Sequence, residues 1–235
     1  MSQQVQKLCI WAGVPMIALL LGGMLLAGFL FPPSPAATAD EIARMYRDHQ
    51  TRIRFGLMIS FFGIIFLFPY GAAISAQTRR IRSAGRLLSY LQNSALASAS
   101  VVFILPWVLW LTAAYRPARP ATEIQLLNDV GWMMFVFPLA AFCAWNWAIA
   151  VAILTDRRTP PVYPRLVGYY NIFLGLSFVP DALIIFFKSG PFTWAGVITY
   201  YLPFVWFGIW MIAMMITTSR AIDQDPELAA DAPGR

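Results

Sequence analysis

Histidine is almost absent from this chain: a single one, His49, occurs in 235 residues, beside two cysteines and a charged fraction of only 12%. One imidazole excludes the membrane di-iron desaturases and hydroxylases, which need many histidines, and a bis-histidine haem held between two helices of this chain. Triad hydrolysis has no Ser-His-Asp set in the apolar runs to draw on, and no glycine-rich phosphate cradle occurs. Cys9 and Cys143 fall at different depths of different apolar runs, so neither a disulfide framework nor a thiolate metal site is expected. No cofactor or metal is expected either. An enzyme would have to work with isolated carboxylates, and a non-catalytic role is the first expectation.

What is present in excess is apolar surface. The chain is 59% hydrophobic with a mean hydropathy of +0.63, far from the soluble norm of roughly 25% charged residues. Crossing roughly 30 Å of hydrocarbon takes about 20 apolar residues in a helix. Six runs qualify, at about 8–31, 55–76, 94–115, 131–154, 167–187 and 194–217. They are apolar all round rather than alternating, which excludes barrel strands and predicts an all-α, six-helix transmembrane bundle over 1–220, followed by an acidic tail at 221–235. Ala37-Thr38-Ala39 resembles a signal-peptide cleavage site, but the first run's apolar core, about 24 residues, exceeds the 7–15 of a signal peptide, so it is expected to stay as a span.

With six spans both ends share a side. That side carries ten cations (Lys7, Arg79, Arg80, Arg82, Arg86, Arg157, Arg158, Arg165, Arg220 and Arg235), against seven on the other. The positive-inside rule therefore predicts cytoplasmic termini in a bacterial inner membrane. Arg79, Arg80, Arg82 and Arg86 are expected to contact anionic lipid. Splitting the basic residues across a membrane argues against nucleic acid as a partner and leaves membrane lipids, a second copy of the chain or another membrane protein.

Between the first two runs, TADEIARMYRDHQTRIR (38–54) has a capping-box start at Thr38 and Glu41. Ile42, Met45, Tyr46, His49 and Ile53 follow on one stripe, with Asp40, Arg44, Asp48 and Arg52 four apart on the other face. The pattern predicts a periplasmic amphipathic helix with an ion-pair ladder, running into the second span. His49 is expected to pack on its apolar stripe.

FVPDALIIFFKSGPF (178–192) holds the most informative single residue. Asp181 follows Pro180 inside an apolar run, where a carboxylate costs at least a few kcal/mol unless paired, hydrated or protonated. Helical spacing sets Ser177 and Tyr170 on its face, which together would make a notch for a proton, cation or ligand hydroxyl. The alternative is a structural acid bonded to a neighbouring helix or met by Lys188. Asn128-Asp129 reads as the N-cap of the fourth span or, with Lys188, as the lining of an outer mouth. Asn146 and Asn171 are expected to join helices, Ser94, Ala95, Ser98 and Ala99 to allow a close helix approach, and Trp132, Trp194, Tyr169 and Tyr170 to form an interfacial belt.

Each run also contains one internal proline: Pro15, Pro69, Pro106, Pro138, Pro180 and Pro203. Their similar order in the two halves suggests a 3+3 inverted repeat of the kind found in secondary transporters.

LLNDVGW (126–132), PRLVGYYN (164–171), FFKSGPFTWAG (186–196) and DEIARMYRDH (40–49) together resemble a family of uncharacterised multi-pass bacterial inner-membrane proteins. The resemblance implies no activity. It marks both ends of the fifth span as functional surface. Two roles follow as expectations: a module that binds or scaffolds a partner protein or apolar ligand, or a small oligomeric transporter using Asp181 and the proline-broken helices.

Overall fold

The computed structural model describes residues 2–81, 85–137 and 139–226, and every regular element among them is helical. Six stretches of these residues are long and apolar enough to cross a membrane: Gln3–Ala27, Gln50–Thr78, Arg86–Tyr115, Ala121–Leu154, Arg165–Ile185 and Val197–Asp223. The first comprises α1 (Gln3–Trp11) and α2 (Gly13–Ala27). A separate α3 (Ala39–Asp48) precedes α4 (Gln50–Ile64) and α5 (Leu67–Thr78), and the third span is one helix, α6 (Gly85–Tyr115). The fourth joins α7 (Ala121–Val136) to α8 (Leu139–Leu154), the fifth is α9 (Arg165–Ser177) with a 3-10 turn (Val179–Ile185), and the sixth is a π-helical turn (Val197–Tyr201) leading into α10 (Leu202–Asp223).

Prolines set most of these interruptions. Proline lacks an N–H and its ring crowds the carbonyl four residues back, so the helix yields just upstream. Breaks at Ala12, at Ile65-Phe66 and at Phe178 precede Pro15, Pro69 and Pro180, and the π turn precedes Pro203. Pro106 instead sits within the unbroken α6. Pro138 lies outside the described residues.

Several boundaries differ from expectation: the second span begins at Gln50 and the third at Arg86, not near 55 and 94, and the sixth runs on to Asp223. The first span ends at Gly28, whose φ of 80° closes α2 in a left-handed C-cap, rather than continuing to about 31. The fourth begins at Ala121 behind Pro120, not near 131. Its polar opening turns lengthen the helix without adding hydropathy. Asn128 and Asp129 therefore lie about two turns inside α7 and are not its N-cap.

The capping box of α3 forms as its spelling requires: Thr38 N–H donates to Glu41 Oε2 at 2.7 Å and Glu41 N–H to Thr38 Oγ1 at 3.4 Å. Ile42, Ala43 and Tyr46 are buried, and α3 packs on α7. The helix does not run on to Arg54. It stops at Asp48, and His49, with φ −116°, is exposed at the joint instead of packed on the stripe. The ion-pair ladder is absent among the described residues as well. The arginines reach carbonyls: Arg47 to Pro117 at 2.8 Å, Arg52 to Leu26 at 2.7 Å, and Arg54 to Ala114 at 3.1 Å and Tyr115 at 2.6 Å. Leu26, Ala114 and Tyr115 end their helices, where unpaired carbonyls and the negative end of the helix dipole attract a cation more than a solvated carboxylate does. Arg54→Ala is expected to destabilise the protein by about 1–3 kcal/mol in reversible unfolding in mixed micelles. A change below about 0.5 kcal/mol would mean that water replaces the guanidinium.

The small residues of α6 are only partly turned inward. Ala95 and Ala99 are buried but Ser94 and Ser98 are exposed. Helix α2 crosses α4 with Gly23 against Gly56, and Ser60 Oγ donates to Leu20 O at 2.9 Å. Above this crossing sits a block of rings, with Phe29, Trp107 and Trp132 around Trp110 at centroid distances of 4.6–5.2 Å. Trp132 is fully buried in this block, and Trp194 is buried with Nε1 donating to Pro33 O, so neither belongs to an interfacial belt.

At the end bearing both termini, Arg80 is turned inward. It donates to Gln77 Oε1 at 2.6 Å and Ala221 O at 2.9 Å and pairs with Asp225 at 3.2 Å, which fastens α5 to α10. Arg79 and Arg86 remain exposed, and Arg82 lies outside the described residues. In the α8–α9 connection Asp156 is buried. It accepts from Arg158 Nε at 3.0 Å, Val162 N–H at 2.9 Å and Arg158 N–H at 3.2 Å. Burial pushes its carboxyl up, but these hydrogen bonds outweigh burial and hold it below the usual value of 3.8. The carboxylate's contribution to stability is thus complete above about pH 4 and is lost as pH falls through the lower folded-state value. Asp156→Asn is expected to flatten stability against pH in that acid range, and an unchanged slope would place the acid sensitivity elsewhere.

Candidate functional site

Lipid-facing helices need every backbone group paired internally, so irregular backbone survives at depth only where protein or a cavity receives it. The 3-10 turn and the π turn are two such irregular pieces, and they wall the same cavity. It has a volume of about 80 Å³. Phe103 of α6, Phe135 of α7, Phe142 of α8, Phe178 ahead of the 3-10 turn, and Phe204 and Phe207 of α10 contribute to its wall, which is otherwise largely aliphatic. Its polar lining is Asp181, Thr199 and Tyr200.

Asp181 stands in the first turn after Pro180, its N–H bonded to Phe178 O at 3.0 Å. Its side chain is buried at 4% exposure, and Oδ1 has no hydrogen-bond partner. The neighbouring donors are already used: Thr199 Oγ1 donates to Thr193 O, Tyr200 OH to Leu30 O at 3.1 Å, and Cys143 Sγ to Gly175 O at 3.1 Å. No ion pair reaches Asp181 among the described residues. An acid bonded to a neighbouring helix, or met by Lys188, is therefore not what the fold builds.

Of the residues expected beside Asp181, neither joins it. Ser177 Oγ back-bonds to Leu174 O at 2.7 Å and Tyr170 OH donates to Trp206 O at 2.8 Å, and the cavity wall includes neither. The face that carried all three residues assumed one α-helix. Tightening to a 3-10 turn after Phe178 advances each residue by about 120° instead of 100° and rotates Asp181 off that face.

Asn128 is fully buried in a second polar cluster. It accepts from Tyr46 OH at 3.3 Å, donates to Asp129 Oδ1 at 3.0 Å, and offers its carbonyl to Trp110 Nε1 at 3.4 Å. Lys188 is exposed, and its charge acts on Asp129. Asn171 joins helices, accepting from Trp210 Nε1 at 2.9 Å, whereas Asn146 donates to Phe142 O of its own helix and leaves Oδ1 without a partner. The sequence signal that found Asp181 was an acid behind a proline in an apolar run. Thr199, Tyr200 and the phenylalanines gave no such signal, because aromatic residues are common in every span.

Comparison with protein-family models, curated proteins and solved structures finds no match for this chain. The six apolar helices identify the chain as a multi-pass membrane protein by length and composition.

Proposed function

We propose that this is a non-catalytic protein of the bacterial inner membrane that binds a small, mainly apolar ligand in the Asp181 cavity. One observation carries the reading: Asp181, buried and with its Oδ1 lacking a hydrogen-bond partner, lines an aromatic cavity. Such an oxygen is a standing cost to the fold, of about 1–3 kcal/mol, that a bound ligand offsets. The resemblance to multi-pass bacterial membrane proteins is consistent with this placement, since FFKSGPFTWAG (186–196) links the two irregular turns that wall the cavity. Irradiation with a short alkyl diazirine, followed by peptide mapping, is expected to label residues around 135–142 and 199–207, and Val136→Phe, which fills the cavity, is expected to abolish the labelling. Labelling spread evenly over lipid-facing helices would overturn the reading.

The cation excess supports cytoplasmic termini, with Arg79 and Arg86 against anionic lipid and α3 on the periplasmic surface. Reporter fusions after Arg235 and near Arg82 are expected to read as cytoplasmic, and one near Arg44 as periplasmic. The reverse pattern would invert the orientation.

A second reading, a small transporter working alone or as a homo-oligomer, is favoured by the irregular turns that wall the Asp181 cavity and by the breaks ahead of Pro69 and Pro180, which hold equivalent places in a 3+3 repeat. Ligand flux into protein-containing vesicles, absent in Asp181→Asn, distinguishes transport from binding.

A further inference from the structure

We infer that the ligand of this cavity is a lipophilic amine, bound with its ammonium group on Asp181 and its hydrocarbon chain leaving through the flank of the bundle; the inference rests on the binding role proposed above. Three features converge on that chemistry. The Asp181 carboxyl, which lines the cavity, accepts no hydrogen bond among the described residues, and Thr199, Tyr200 and Cys143 have each given theirs to a carbonyl, so the ligand must bring a donor. No cation of the chain pairs with Asp181 among the described residues, so the ligand supplies the positive charge as well. The wall around the carboxyl is built from the rings of Phe103, Phe135, Phe142, Phe178, Phe204 and Phe207, whose faces attract a cation and give an alcohol of the same shape no comparable advantage.

Size and access define the ligand further. A volume of about 80 Å³ takes a head group of a few heavy atoms, not a whole lipid. Phe135, Leu139, Phe178, Phe204 and Phe207 are only half-buried, so the cavity is open on one side. Phe137, Leu202 and Val205, next in the chain to the lining residues Val136, Pro203 and Phe204, are exposed and offer apolar surface suited to an alkyl chain. Asp181 also lies four residues before Ile185, where the span ends. At about 2.0 Å of rise per residue in a 3-10 turn this is roughly 8 Å from the boundary, a depth that an amine entering from the interface reaches without crossing the membrane.

The experiment compares two photoprobes with the same diazirine-bearing alkyl chain, one ending in a primary amine and the other in a hydroxyl, on the full chain in lipid nanodiscs. In the wild type the amine is expected to label the cavity peptides at least about tenfold more efficiently than the alcohol at equal concentration, the ratio of an added cation–π and charge-assisted contact. Asp181→Asn is expected to reduce the ratio to about one while still unfolding cooperatively in mixed micelles, which shows that the variant has folded. Asp181→Glu, which keeps the charge, is expected to retain a preference for the amine. Equal labelling by the two probes in the wild type, or an amine preference that survives Asp181→Asn, would overturn the amine assignment while the cavity remains a binding site. Failure of both probes to label the cavity in the wild type would overturn the binding role and this inference with it.

Discussion

Gly56→Leu is expected to yield no folded protein, and Gly56→Ala to lose about 3 kcal/mol, the upper end of the range for overpacking. The reason is what the new atoms meet. A Cβ on Gly56 falls on the backbone of α2, against Ala27 N and 2.8 Å from Ala27 Cα, and one on Gly23 falls on Gly56 O and the Ser60 backbone and hydroxyl. Backbone cannot rotate aside as a flexible side chain can, so the helices must separate, and the Ser60 to Leu20 hydrogen bond is lost with them. In lipid the loss is severe, because close packing and interhelical hydrogen bonds, not the hydrophobic effect, hold helices together. Gly22→Ala supplies the control. A Cβ there meets nothing within 4 Å, so stability is expected to stay within about 0.5 kcal/mol of wild type. Equal losses at Gly22 and Gly56, measured by unfolding in mixed micelles, would refute the crossing as the source of stability.

Asp181→Leu is expected to raise the stability of the ligand-free protein by about 1–3 kcal/mol. A buried acid paired with a neighbour would show the opposite sign, since removing one partner strands the other. Here no partner exists to strand among the described residues: Oδ1 is unbonded, and the nearby hydroxyls are committed to carbonyls. Leucine keeps the branching of the carboxyl with methyl groups in place of its two oxygens, extends an already aromatic wall into the cavity and removes the cost of desolvating the carboxyl. Asp181→Asn should fall between the two, because the amide is neutral but still polar. A residue that weakens the fold and is nonetheless present is consistent with binding, and the gain in stability should accompany loss of amine labelling. A loss of stability in Asp181→Leu would reveal a structural role for the carboxyl.

How much of this was legible from the residues differs from feature to feature. Thr38 and Glu41 spelled a capping box that forms as written, because both partners lie within one helical turn and no other part of the molecule is consulted. Asp181 was identifiable as out of place for a similarly local reason: an acid in an apolar run is a statement about a short window. Its face was misjudged because the choice between an α and a 3-10 continuation beyond Pro180 depends on packing around the turn. His49 and the ladder of Asp40, Arg44, Asp48 and Arg52 were misjudged for a related reason. Helical spacing set the charges beside one another, but Arg52 turns to the carbonyl of Leu26 near the end of α2, a partner that no local pattern shows.

Length and apolarity by themselves determined six helical spans, since backbone hydrogen bonding in lipid leaves a run of about 20 apolar residues no other regular structure than a helix. Which face of each span looks inward was decided only by the tertiary structure. In water a polar face would have marked the outside, but lipid tails are as apolar as the protein core, so Trp132 in the centre of the bundle and Leu202 on its flank read alike in the chain. For the same reason Gly22 and Gly23 are indistinguishable as letters: one faces open space and the other the backbone of α4. The cavity belongs wholly to this second kind of information. Its walls come from α2, α6, α7, α8, the two irregular turns and α10, and they become a site only when those elements meet around Asp181, which has no ion pair among the described residues.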